Sequence, residues 1–272
     1  MKHAEKLLFL IALSFALAIA GCGGQATQAS LDAADPANPG PSSAPPSGSP
    51  TPGSSTTPTS AKIISNIQKL PNWKTCVGAC AGMPHAAFSM TEGIASPSLT
   101  GASARFQLLA GTSPFGGAMW FKYLGASNSA THFVYDLYFY MTNPSGPQAL
   151  EFNASQSNGN GHYEFSTQCE LVNTRSWRIW DPAARHWAAT SVPCVQPPPN
   201  TWNHLIWEFE RNSSGQAVFK AVTLNGRRTV VNMAVDHKPD TQSGIDVGFQ
   251  LDANRTATPY SVWLDKVSLT YW

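Results

Sequence analysis

From about residue 100 onward, apolar and polar residues alternate in short segments rich in Val, Phe, Tyr, Trp and Thr, separated by clusters of Gly, Pro, Asn and Ser. A period of two gives a segment one face for a core and one for water, the pattern of a half-buried strand. It predicts strands over residues 103–109, 118–124, 132–142, 148–156, 162–171, 176–181, 186–190, 203–211, 217–224, 228–234, 244–251 and 259–271. No stretch sustains the 3.6-residue period of an amphipathic helix. About a dozen strands, short turns and no crossover helices predict an all-β fold, an antiparallel two-sheet sandwich, with a barrel as the other closed arrangement.

The first sixty or so residues follow different rules. Met1-Lys2-His3 precedes a nearly uncharged apolar run from Leu7 to Ala20, the layout of a secretory signal and too short to span comfortably as a permanent helix. Its end, Ile19-Ala20-Gly21-Cys22, resembles the lipobox of bacterial lipoprotein precursors. The resemblance implies removal of residues 1–21, acylation of Cys22 and a lipid bilayer as partner; ordinary cleavage near Gly23 is the alternative. Residues 22–61 would be the lipidated Cys22 and a tether: from Gln25 to about Ala61 the chain is mostly Ser, Thr, Pro, Gly and Ala with almost no large apolar side chain, so it is expected to be disordered. As a partly extended polyproline-type chain of about 37 residues, it would reach roughly 100 Å. Apolar residues return near Ile63, so residues 62–272 are read as one folded domain. The expected location is the extracytoplasmic cell envelope. Gly23 lacks the aspartate associated with inner-membrane retention in some lipoproteins, which favours the outer membrane or cell surface.

Five cysteines become four once Cys22 carries lipid. In an exported chain four suggest two disulfides; three connectivities exist, and Cys76–Cys80 with Cys169–Cys194 is the simplest. Metal binding by Cys76 and Cys80 lacks a second ligand pair. A formal net charge of +1, 12% charged residues and no basic stripe argue against nucleic acid. Nine Trp in a weakly charged chain suit a polar, uncharged partner such as a polysaccharide better than a charged one.

Three phrases resemble the concanavalin A-like lectin and glucanase superfamily, which also holds laminin-G-like modules: Thr201-Trp202-Asn203-His204-Leu205-Ile206-Trp207, Val222-Thr223-Leu224-Asn225-Gly226, and the closing Tyr260-Ser261-Val262-Trp263-Leu264-Asp265-Lys266-Val267-Ser268-Leu269. Their order matches that family over about residues 100–272, and the resemblance implies a jelly-roll sandwich. Trp202 and Trp263 read as packing residues and Asn225-Gly226 as a hairpin turn, so the phrases speak to fold and not to activity.

Periodicity also suggests where a ligand would sit. Phe133, Tyr135, Leu137, Phe139 and Met141 share a core face, leaving Asp136, Tyr138 and Tyr140 outward; Leu150, Phe152 and Ala154 leave Glu151, Asn153 and Ser155 outward; Tyr163 and Phe165 leave His162, Glu164 and Ser166 outward. Read as consecutive hairpins, with Tyr138 opposite Glu151, Asp136 opposite Asn153 and Asn153 opposite Glu164, these strands gather Asp136, Tyr138, Tyr140, Glu151, Asn153, His162 and Glu164 into one patch. Trp180, with Arg178 and His186, is the expected exposed side of the 176–187 hairpin. Carboxylates, amides and imidazoles exchange hydrogen bonds with sugar hydroxyls, while aromatic faces cover the apolar side of a pyranose. A plainly hydrated sheet face is the competing reading.

The stretch Glu151-Phe152-Asn153-Ala154-Ser155-Gln156 resembles the Glu-x-Asp-x-x-Glu strand of family 16 glycoside hydrolases, with Asn153 and Gln156 where that motif has carboxylates. Two carboxyls are needed for hydrolysis, so a binding module ranks first. A glycoside hydrolase or polysaccharide lyase follows, with Glu151 and Glu164 as the catalytic pair, and a structural or adhesive envelope domain comes third. Asp240, Asp252 and Asn254 offer oxygen to calcium, but three scattered ligands are few for an ion that takes six to eight, and no cofactor or metal is expected.

Overall fold

The computed structural model describes residues 57–77 and 84–272. The signal, Cys22, nearly all of the tether and Cys80, and with Cys80 the proposed Cys76–Cys80 pairing, lie outside the described residues.

The strands are β1 (Lys62–Ile64), β2 (Lys74–Val77), β3 (Phe88–Ile94), β4 (Ser103–Leu108), β5 (Gly117–Tyr123), β6 (His132–Met141), β7 (Pro147–Asn158), β8 (His162–Glu170), β9 (Ser176–Asp181), β10 (His186–Pro193), β11 (Thr201–Arg211), β12 (Gln216–Leu224), β13 (Arg227–Asp236), β14 (Ser243–Ala253) and β15 (Tyr260–Tyr271). They form an antiparallel jelly-roll sandwich. The first sheet runs β13-β12-β11-β6-β15-β4-β3, with β1 against the far half of β15, and the second runs β10-β9-β8-β7-β14-β5-β2. All twelve predicted strands are present within a few residues; β1, β2 and β3 are additional.

The inner faces pack as alternation requires. Phe106, Trp120 and Phe249 meet edge to face at 5.1–5.2 Å, and Phe139 of the first sheet touches Phe152 of the second at 5.4 Å. Trp177 and Ile179 face this core, while Arg178 and Trp180 face away. The Cys169–Cys194 disulfide, Cα atoms 5.5 Å apart, closes a 25-residue loop around the β9–β10 hairpin, worth on the order of 3 kcal/mol in the chain-entropy model.

Asp265 sits at a bulge in β15, where Lys266 takes φ of 50°. Its buried carboxylate accepts hydrogen bonds from Gln68 Nε2 (2.8 Å), Ser98 Oγ (2.6 Å), Thr100 Oγ1 (2.7 Å) and the Leu99 and Thr100 amides (2.6 and 3.0 Å). The aspartate of the closing phrase thus fastens the segment before β4 onto the last strand.

One expectation fails at this level. β6 and β7 do not form a hairpin: β6 pairs with β11 and β15, β7 with β8 and β14, and the 142–146 turn carries the chain from one sheet to the other. Both strands still turn their apolar side to the same core, because a crossing arch satisfies the period-two pattern as well as a hairpin does.

Candidate functional site

The arch splits the expected patch. Asp136, Tyr138 and Tyr140 lie on the outer face of the first sheet, whereas Glu151, Asn153, His162, Glu164 and Trp180 lie on the outer face of the second, across the core.

On the first face Asp136 Oδ1 pairs with His204 Nε2 at 2.8 Å, and the Tyr138 ring stacks on His204 at 4.2 Å with an interplanar angle of 3°. Lys266 Nζ lies 5.3 Å from the Tyr138 ring centre. Tyr140 touches Trp202 and Trp263 at 5.4 and 5.6 Å, and its hydroxyl donates to Asn200 Oδ1 at 3.2 Å. Arg228 grips Glu208 through two bonds of 2.7 and 2.8 Å. Opposite charges sit side by side here, as on an ordinary hydrated sheet.

The second face is built in rows across the strands. In one row Arg178, Gln168, Glu151, Gln250 and Met119 stand on β9, β8, β7, β14 and β5. In the next, Ser166, Asn153, Gly248 and Phe121 follow one another across β8, β7, β14 and β5, and Trp180, against Trp187 at 5.4 Å, stands where the β8–β9 ladder ends. Beyond lie Glu164, Ser155, Asp246 and Tyr123. The β7–β8 register is two residues from the expected one: Asn153 faces Ser166, and Glu164 faces Ser155. The cause is the turn, in which Asn158 N donates to Gly161 O at 3.1 Å, leaving two residues at its tip.

Glu151 faces away from the core between the sheets, yet it is only 4% exposed. Its Oε1 accepts from Gln168 Nε2 and Gln250 Nε2, both at 3.0 Å, and its Oε2 from Asn153 Nδ2 at 3.5 Å. The same two amides reach Asp252, Gln250 Nε2 at 2.9 Å and Gln168 Nε2 at 3.5 Å. Burial, and then the neighbouring Asp252 charge, push the Glu151 carboxyl well above the usual carboxylate range; burial likewise pushes Asp252 up to about 6. Two acids this close share a proton. The oxygens Gln168 Oε1 and Gln250 Oε1 are buried without a hydrogen-bond partner.

Glu170, at the end of β8, has the opposite surroundings. Burial acts to raise its pKa, but the Asn173, Thr174 and Val172 amides and the Thr174 hydroxyl outweigh it and hold the group at about 2, with Arg178 3.1 Å away. At the other end of the face Ser157 Oγ bridges His162 Nδ1 (2.9 Å) and Asp240 Oδ2 (2.6 Å), and Lys238 Nζ pairs with Glu164 at 3.1 Å.

Hydrolytic geometry is not assembled from the expected residues. Glu164 stands one strand over and four residues along from Glu151, about 14 Å between backbones at 3.3 Å per residue and 4.8 Å per strand, whereas paired glycosidase carboxyls are about 5–9.5 Å apart. Gln156 is an odd number of residues from Glu151 on an unbulged stretch and turns inward, donating to Ser127 O and Ala130 O at 2.6 and 2.9 Å. Asp240, Asp252 and Asn254 are likewise not gathered: Asp240 serves Ser157, and Asn254 Oδ1 accepts from Thr256. Among the described residues no three His, Cys, Asp or Glu side chains converge as metal ligands.

No protein-family model and no curated protein sequence matches the chain. Among solved structures, a cellulose induced protein is 11% identical, with 76% of this chain and 96% of that one covered at a TM-score of 0.49. An endo-β-1,4-glucuronan lyase from the fungus Trichoderma reesei is 13% identical over 72% and 94% of the two chains, TM-score 0.47. A family 11 carbohydrate-binding module from Clostridium thermocellum, in complex with a mixed-linked tetrasaccharide, is 14% identical over 77% and 94%, TM-score 0.38. At these values the likeness is one of chain path, and function has to come from the side chains.

Proposed function

We propose that the chain is an exported, lipid-anchored glycan-binding protein, and that a polysaccharide lies across the outer face of the second sheet. The carrying observation is the row Ser166, Asn153 and Gly248: small residues on three adjacent central strands, with Trp180 and Trp187 at one end and Phe121 at the other. Low side chains between aromatic ends make a trough. From β9 to β5 it crosses four strand spacings, about 19 Å, room for a few sugar rings. Aromatic faces take the C–H side of a pyranose, while Asn153, Ser166, Glu164 and Asp246 exchange hydrogen bonds with its hydroxyls.

The trough favours an uncharged glycan. Its acids, Glu164, Asp246 and the proton-sharing pair Glu151 and Asp252, still carry more charge than Arg178 and Lys238, and both cations are already paired with carboxylates. A polyuronate would meet net negative charge. Affinity electrophoresis of the full chain through gels of neutral and acidic polysaccharides tests the reading. Retardation by a neutral polymer, abolished in Gly248→Leu, is expected; equal migration through every gel overturns it.

The anchor rests on Ile19-Ala20-Gly21-Cys22 and on the Pro- and Ser-rich stretch after it. Labelled palmitate should enter the chain and be lost in Cys22→Ala, with the variant leaving the membrane fraction; label retained in the variant refutes acylation at Cys22.

A further inference from the structure

The ring Glu151, Gln168, Asp252 and Gln250 is unusual for what its members leave undone. Each glutamine is nearly inaccessible, Gln168 4% and Gln250 2% exposed, and each spends its Nε2 on both acids while its Oε1 has no hydrogen-bond partner. A buried acceptor without a donor costs about 1–3 kcal/mol. A carboxamide turns end for end about its last torsion, and that turn would bring each unpartnered oxygen in between the carboxylates. What lies between the carboxylates therefore decides which end points in: Nε2 suits a proton-sharing acid pair, and Oε1 suits a cation.

We propose that Glu151 and Asp252, with the carboxamide oxygens of Gln168 and Gln250, form a binding site for calcium on the outer face of the second sheet. The contacts around the ring are 2.9, 3.0, 3.0 and 3.5 Å. Oxygen ligands about 2.4 Å from Ca²⁺ and at right angles to one another are about 3.4 Å apart, so the four head groups already have nearly the spacing of a coordination shell. Two carboxylates, each able to bind through both oxygens, and two carbonyls supply up to six oxygens, within the number calcium takes. Magnesium, smaller and reluctant to shed its water, fits poorly where there is little room for water, and the ring offers zinc neither nitrogen nor sulfur. Register explains the convergence: Glu151 pairs with Gln168 on one side and Gln250 on the other, and Asp252 follows two residues later on the same face. The site does not depend on glycan binding.

Thermal unfolding of the full chain, stripped of metal and then given about 10 mM CaCl₂ or MgCl₂, tests it. Calcium should raise Tm by about 3–10 °C if Kd lies near 10⁻⁴–10⁻³ M, with magnesium giving little, and Asp252→Asn should lose the calcium shift. An unmoved wild-type Tm overturns the site, as does an undiminished shift in Asp252→Asn. Should that variant not fold, Gln168→Met removes one oxygen and no charge: affinity for calcium by titration calorimetry should fall at least tenfold, and unchanged affinity overturns the proposal.

Discussion

The two outer faces of the sandwich are built from the same strand alternation and differ in how they place charge. On the first, Asp136 has His204, Glu208 has Arg228, and Glu210 has Lys220 at 3.1 Å. On the second, Glu151 stands beside Asp252 and two glutamines, with nothing cationic among the contacts of that ring. A face that only has to be wet pairs unlike groups across strands, because like groups side by side are destabilising. Acid against acid, buried on the solvent side of a sheet, marks the face where binding is to be sought.

The sharpest break of this comparison is Gly248→Leu. A Cβ at Gly248 meets Asn153 Cβ at 3.4 Å, Trp120 O at 3.5 Å and Asn153 Nδ2 at 3.9 Å, all ordinary contacts, so the fold tolerates the first carbon while the rest fills the trough. Glycan retardation should vanish with Tm held within a few degrees; binding that survives places the ligand elsewhere. Next is Glu170→Gln, which takes a buried charge from Arg178 and from a ring of amides. A loss of about 3 kcal/mol, seen as a fall in Tm of roughly 6–12 °C, is expected, and a change under 1 kcal/mol would contradict the description of that pocket.

The two buried acid sites also have opposite pH signatures. Glu170, depressed to about 2, contributes stability that is full above its unfolded pKa near 4.3 and is lost as pH falls toward 2. Asp252, raised to about 6, binds its proton more tightly when folded, so in chelator the domain should lose stability as pH rises from about 4 to 6. Asp252→Asn should lessen that second slope to the part Glu151 contributes and leave the first; an undiminished slope between pH 4 and 6 assigns it to another group. The smallest effect is expected from the first face. Tyr138→Ala should leave glycan affinity within twofold, and a tenfold loss would move the ligand to that side.

Alternation made the strands and their inward sides legible, down to Trp177 facing in and Trp180 out. What it could not supply was neighbourhood. Phe139 and Phe152 meet in the core whether β6 and β7 share a sheet or face each other, so the pattern leaves hairpin and arch equivalent, and the hairpin reading sets Tyr138 beside Glu151, from which the core separates it. The alternation of 244–251 already puts Asp246, Gly248 and Gln250 on one side. That this strand lies against β7, some ninety residues earlier, is a fact of topology with no local signal. β1, β2 and β3 escaped because three or four residues, or a run interrupted by Gly93, carry too little period to read.

The last two strands lie inside their sheets, β14 between β7 and β5 and β15 between β6 and β4. Until they arrive, each layer is two unjoined halves with open edges toward the gap. A chain emerging from its N-terminus can form local hairpins but cannot seal the hydrophobic interior before β15 has been delivered, so the nascent polypeptide travels as a collection of ribbons and the cooperative transition comes late.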